Sequence, residues 1–149
     1  PGQGIVRPKK DEESVPLVSP EDQALYRSGV GMLLYLVKHS RPDIANVVRE
    51  LSKVMDGATP AALKEMKRVM KFVLDTRNFG LKIEPKAHND GDIWVMVAYT
   101  DSDYAGDKDN RISVGGFIIF LLGVPIMWRS KAQRSVSLSS AEAEFCSLS

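Results

Sequence analysis

A single cysteine, Cys146, occurs in 149 residues. That scarcity excludes a disulfide framework within the chain and any cysteine-based zinc cluster. The two histidines, His39 and His88, lie far apart without ligand spacing, so both read as incidental surface residues. A dominant charge is lacking too: 20 basic residues face 19 acidic ones, for a net charge of +1. Global charge therefore implies no nucleic-acid partner, and any basic surface must come from local patterning. No apolar run approaches a membrane span and no signal peptide opens the chain, so a soluble intracellular protein without a membrane partner is expected. What is present is ordinary globular composition, 44% hydrophobic and 26% charged. The length suits one compact domain, or a small domain plus part of another. The chain opens on Pro1, and its last residues run in helical order without a terminating glycine or proline, so both ends read as cut from something longer.

Three segments follow from the patterning. Residues 1–18, rich in proline, glycine and mixed charge, read as a flexible linker. Residues 19–80 read as helical. A first helix starts with Ser19 as cap and Pro20 in its first turn, with Leu25, Val30, Met32, Leu33, Leu36 and Val37 forming a broad apolar face. Gly29 and Gly31 each weaken it by about 1 kcal/mol relative to alanine, a cost that points to close helix packing. A second helix is expected from Pro42 to Met55, capped by Ser40, with Gly57 after it. A third starts with Thr59 as cap and Pro60 next, burying Leu63, Met66, Val69, Met70 and Val73. Its opposite face carries Lys64, Lys67, Arg68 and Lys71 at i, i+3, i+4 and i+7, either a solvated outer face or a stripe that tracks a phosphate backbone.

From residue 81 to 149 the period changes. Strands are expected at 81–85, 93–107, 113–123, 124–130 and 134–139, joined by short turns and hence antiparallel, with a turn at Gly123. A helix then starts at Ser139, whose hydroxyl with Glu142 makes a capping box. The fold class is α+β, verging on α/β.

Asp101, Asp103 and Asp107 end an apolar strand. Alternation points Asp101 and Asp103 to the face of Val97 and Tyr99, so one of the two acids is expected at the edge of a buried face, where a cation would offset the desolvation. Glu144 falls on an apolar helix face near Ala141 and Leu148, whereas Glu142 fits the cap. A strand acid and a helix acid can hold magnesium, and paired ions of that kind hydrolyse phosphodiesters. The alternative is an acidic turn and a surface glutamate. Trp94 and Trp128 read as core rather than base-stacking residues, and Met66, Met70, Met127 and Cys146 as packing. Ser139 and Ser140 have no histidine nearby, which argues against a hydrolase nucleophile.

TDSDYAGD, then RISVGGFIIFLLGVPIMWRSKAQRSVSLSSAEAEF, resembles the RNase H domain of copia-type retrotransposons. YRSGVGMLLYLVKHSRPDIANVVRELSKVM and LKEMKRVMKFVLDTRNFGLKI resemble the segment joining the polymerase to RNase H in the same family. Arg41-Pro42-Asp43-Ile44 and Ser139 to Phe145 are the most specific pieces. The resemblance implies a helical connection over 19–80 and an incomplete RNase H-like fold over 81–149: a three-stranded antiparallel meander, a further strand and the start of the first helix. It also implies magnesium-dependent cleavage of RNA in RNA–DNA hybrids, with manganese as a substitute ion. The site residues it implies are Asp101 (or its rival Asp103) and Glu144 as catalytic metal ligands and Lys131 on a phosphate; the patterned stripe of Lys64, Lys67, Arg68 and Lys71 would then track the hybrid backbone. The rest of the polyprotein is an implied partner, in a cytoplasmic virus-like particle or the nucleus. The chain departs from the family in lacking the two later catalytic acids and the polymerase Tyr-x-Asp-Asp hairpin. An inactive remnant, or a nucleic-acid-binding or interaction module, is therefore the rival expectation.

Overall fold

The computed structural model describes residues 16–85, 94–103, 112–133 and 139–141. The chain divides into two compact units, Pro1–Gly80 and Leu81–Ser149.

In the first unit, α1 spans Pro20–His39, a 3-10 turn covers Pro42–Ile44, α2 spans Ala45–Ser52 and α3 spans Pro60–Asp75. Two starts follow the expected chemistry. Ser19 Oγ accepts from the Asp22 amide and Thr59 Oγ1 from the Ala62 amide, each satisfying a donor that the first turn leaves free. The second helix differs from expectation. Ser40 ends α1 instead of capping α2, its amide donating to the Leu36 carbonyl. Regular helix is confined to eight residues ahead of a turn at 53–56.

The core of this unit is one cluster: Tyr26, Val30 and Leu33 from α1, Ile44, Val48 and Leu51 from the α2 region, and Ala62, Leu63, Met66 and Val69 from α3, with Val54 and Ala58. The buried stripe of α1 is narrower than its apolar residues suggest. Leu25 and Met32 face outward, and Tyr26 takes the inward position. Burial is affordable for that phenol because its hydroxyl donates to the Leu51 carbonyl over 2.8 Å. Gly29 lets α1 meet α3: a Cβ there would lie 2.5 Å from Met66 Sδ. Gly31 has nothing within 4 Å of that position, so close packing explains only the first glycine. Gln23 staples the 53–58 turn to α1, donating through Nε2 to the Met55 carbonyl and accepting the Ala58 amide at Oε1.

In the second unit, β1 (Met96–Asp103), β2 (Val114–Leu121) and β3 (Val124–Ala132) form an antiparallel sheet in the order β1-β2-β3. Leu122 and Gly123, both at positive φ, make the two-residue turn between β2 and β3, where the residue pair must twist with the strands. An irregularity between Ile119 and Phe120 shifts the β2–β3 register. Residues 81–85 are not a strand; without a pairing partner their alternation has no ladder to join. Trp94 and Met127 are exposed, not core. The expected strand at 134–139 lies outside the described residues except for Ser139, and Asp107, Glu142, Glu144 and Cys146 lie outside them entirely.

Candidate functional site

The sheet register sorts the candidate residues by face. Asp101 pairs with Gly116, which pairs with Ser130; Asp103 pairs with Val114, which pairs with Ala132. Cross-strand partners share a face and neighbours along a strand alternate. Asp101 and Asp103 therefore lie on the face that also carries Val97, Tyr99, Ile118, Phe120 and Trp128. Tyr99 and Phe120 meet edge-on there, ring centroids 5.8 Å apart. The side assignment matches the expectation from alternation, but the burial does not: both acids are exposed. Desolvation of Asp101 or Asp103 thus gives no reason for a cation; only donor chemistry does. Two water-accessible carboxylates on one face are hard oxygen donors of the kind magnesium takes while keeping several waters. Their donor chemistry suits such an ion, while no group of three or more histidine, cysteine, aspartate or glutamate side chains assembles among the described residues.

Lys131 falls on the other face. It pairs with Gly115, and Gly115 pairs with Ser102, the neighbour that alternates with Asp101. Glu144 lies outside the described residues, so its approach to Asp101 is not part of this geometry.

On α3 the four basic residues are all exposed, opposite buried Leu63, Met66 and Val69. They are not equivalent. Arg68 is bound by Glu65 one turn earlier and Lys71 by Asp75 one turn later. The Arg68 guanidinium holds the Glu65 carboxyl below its ordinary range. Lys64 and Lys67 have no ion pair among the described residues, which leaves them as the stripe's uncompensated charges.

The most elaborate polar arrangement in the first unit is at Arg41, which the sequence marked only through resemblance. Arg41 is 5% exposed. Its Nε and Nη2 donate to the two carboxylate oxygens of Asp43 over 2.9 and 2.8 Å. Nη2 also donates to Thr76 Oγ1, and the guanidinium lies 5.6 Å from the Phe72 ring centroid. The hydrogen bond from Arg41 holds the Asp43 carboxyl below its ordinary range. The Arg-Pro-Asp-Ile motif is thus a clasp that fixes the α1–α2 turn to the end of α3.

The fold and the site together define a mixed α and β chain with carboxylates at a strand end and a basic helix face. Comparison with known proteins gives the family. The chain is 39% identical over 127 residues to a retrovirus-related Pol polyprotein from transposon RE1 of Arabidopsis thaliana, covering 85% of this chain and 8% of that protein. It is 34% identical over 120 residues to the Pol polyprotein from transposon TNT 1-94 of Nicotiana tabacum, covering 80% of this chain and 9% of the relative. It is 37% identical over 124 residues to a secreted RxLR effector protein 161 of Plasmopara viticola, covering 83% of this chain and 84% of that protein. No family profile and no solved structure matches. The chain belongs to the copia-type retrotransposon Pol polyprotein family, and it spans under a tenth of the length of the transposon relatives quoted.

Proposed function

We propose that the chain supplies the start of an RNase H site, and that its parent activity is hydrolysis of the RNA strand in RNA–DNA hybrids. The observation that carries this reading is the position of Asp101 at the end of an antiparallel meander, on one face with Asp103, in a chain related to retrotransposon polyproteins. On this reading Asp101 serves as the first metal ligand and Glu144 as the second. Magnesium, when bound, makes water a stronger nucleophile and neutralises charge on the leaving oxygen. The residues of the chain hold the ion and orient the scissile phosphate. The stripe of Lys64, Lys67, Arg68 and Lys71 contributes sequence-independent attraction to the backbone. Two acids fall short of a full two-ion site, so turnover requires acids from the rest of the polyprotein. The test is a labelled hybrid with the polyprotein that contains this chain: Asp101→Asn abolishes cleavage of the RNA strand while hybrid binding persists. Cleavage undiminished in Asp101→Asn would overturn the assignment.

A second reading has one observation in its favour. The same stretch makes up 84% of the Plasmopara viticola relative, so it can form most of an independent chain. On that reading the chain is a non-catalytic binding module, and Asp101→Asn alters none of its functions.

A further inference from the structure

Gly116 is the third residue of β2, and among the described residues the usual structural needs for a strand glycine do not explain it. Its backbone is not in the positive-φ region, which among the described glycines is confined to Gly123. The register irregularity lies between Ile119 and Phe120, three residues away at its nearer edge. Nor, among the described residues, is a neighbouring backbone pressed against it: a Cβ at 116 would meet only the Arg129 carbonyl oxygen at 3.6 Å, an ordinary contact. A mid-strand glycine weakens a strand, and where bulge, bend and backbone approach are absent the remaining use is close approach of a ligand. The partners of Gly116 are polar. Asp101 pairs with it on one side and Ser130 on the other, all three on one face. Neither side chain has a hydrogen-bond or ion-pair partner among the described residues. Two strand spacings, about 10 Å, separate their backbones, with the glycine as floor.

We infer that Gly116 floors a slot for a backbone phosphate of the RNA strand, with the Ser130 hydroxyl donating to a non-bridging oxygen opposite Asp101. This inference rests on the RNase H reading, and adds to it a substrate-contacting serine and a residue whose function is to stay small. A phosphate drawn toward an ion at Asp101 needs both a donor on its far side and room for its oxygens. Ser130 and Gly116 supply these.

The experiment uses the full chain with Mn2+ and a fluorescent RNA–DNA hybrid, read by anisotropy, with unfolding followed in parallel. Ser130→Ala is expected to weaken hybrid binding about 5-fold, one ordinary hydrogen bond. Ser130→Thr, which keeps the hydroxyl and suits a strand, restores it. Gly116→Val is expected to weaken binding by 5-fold or more while leaving the melting temperature unchanged or raised, since valine is the better strand residue. A purely structural glycine gives the reverse: a lower melting temperature with binding retained. Broadening of Asp101 resonances by Mn2+ separates the two ways of failing. Absent broadening at Asp101 removes the RNase H reading and the slot with it. Broadening at Asp101 with Ser130→Ala and Gly116→Val binding the hybrid like wild type, or with no hybrid bound by wild type, overturns the slot alone.

Discussion

Two alanine substitutions two residues apart on α1 should differ in their effect on stability, only the second being stabilising. Either change relieves the conformational freedom of glycine in a helix, worth about 1 kcal/mol. At position 31 that gain stands alone, because an added methyl meets nothing within 4 Å among the described residues. At position 29 the methyl would lie 2.5 Å from Met66 Sδ, 2.9 Å from Met70 Cε and 3.0 Å from Met66 Cε. Met70 is half-buried and can turn away, but Met66 is 1% exposed and sits inside the cluster that holds the three helices together. Overpacking of that kind costs about 1–3 kcal/mol. The net effect of Gly29→Ala is therefore between neutral and about 2 kcal/mol destabilising, against about 1 kcal/mol stabilising for Gly31→Ala. Urea unfolding followed by far-ultraviolet circular dichroism measures both midpoints. If both alanines raise the midpoint equally, the close approach of α1 and α3 at Gly29 is wrong, and with it the geometry of the helical unit.

Four further outcomes follow from the same structure. Arg41→Ala should destabilise the chain by about 1–3 kcal/mol, and Arg41→Lys should not rescue it, because an ammonium cannot bond Asp43 and Thr76 together in the guanidinium geometry; thermal melts of both variants decide this. The Asp43 carboxyl is held below its unfolded value, so its contribution is present above the ordinary carboxylate range and is lost as pH falls through the folded value. Asp43→Asn should accordingly flatten the acid limb of a stability–pH profile. Burial raises the Tyr26 phenol to about 12, so stability should be complete below its unfolded value of 10.0 and fall as pH rises from there toward 12; denaturant unfolding at a series of alkaline pH values measures this, and Tyr26→Phe should remove the dependence. Lys64→Gln with Lys67→Gln should lower the salt slope of hybrid binding by about 2, more than Arg68→Gln with Lys71→Gln, whose cations already have carboxylate partners; titrations at several salt concentrations compare the pairs.

How far the sequence could be read depended on whether the deciding interaction was local. Ser19, Thr59 and the prolines after them act within one helical turn, so α1 and α3 start where the residues say. The Leu122–Gly123 turn is local in the same sense. The second helical segment starts at Pro42 as the residues say, but its first turn is 3-10 and its regular part ends at Ser52 ahead of a turn, a boundary that the apolar spacing out to Met55 does not mark. The inward role of Tyr26 escaped the apolar pattern because its burial depends on a carbonyl at Leu51, on another helix. At the candidate site, alternation correctly put Asp101 and Asp103 together on one face, yet overstated their burial, since a strand's period says which side a residue faces and not what covers that side. Lys131 was expected on the nucleic acid through the resemblance of WRSKAQ; the register places it on the face opposite Asp101, which no sequence motif could specify. The two halves of the basic α3 stripe became distinguishable only once Glu65 and Asp75 were seen to hold Arg68 and Lys71.

The proposed sharing of one hard cation by Asp101 and Glu144 is most directly tested by titrating the isotopically labelled chain with Mn2+ and mapping paramagnetic broadening residue by residue. The expected pattern is simultaneous loss of the Asp101 and Glu144 signals at the lowest ion concentration, abolished by Asp101→Asn. Broadening that spreads evenly over exposed carboxylates, or that reaches Asp101 while leaving Glu144 sharp, would contradict it.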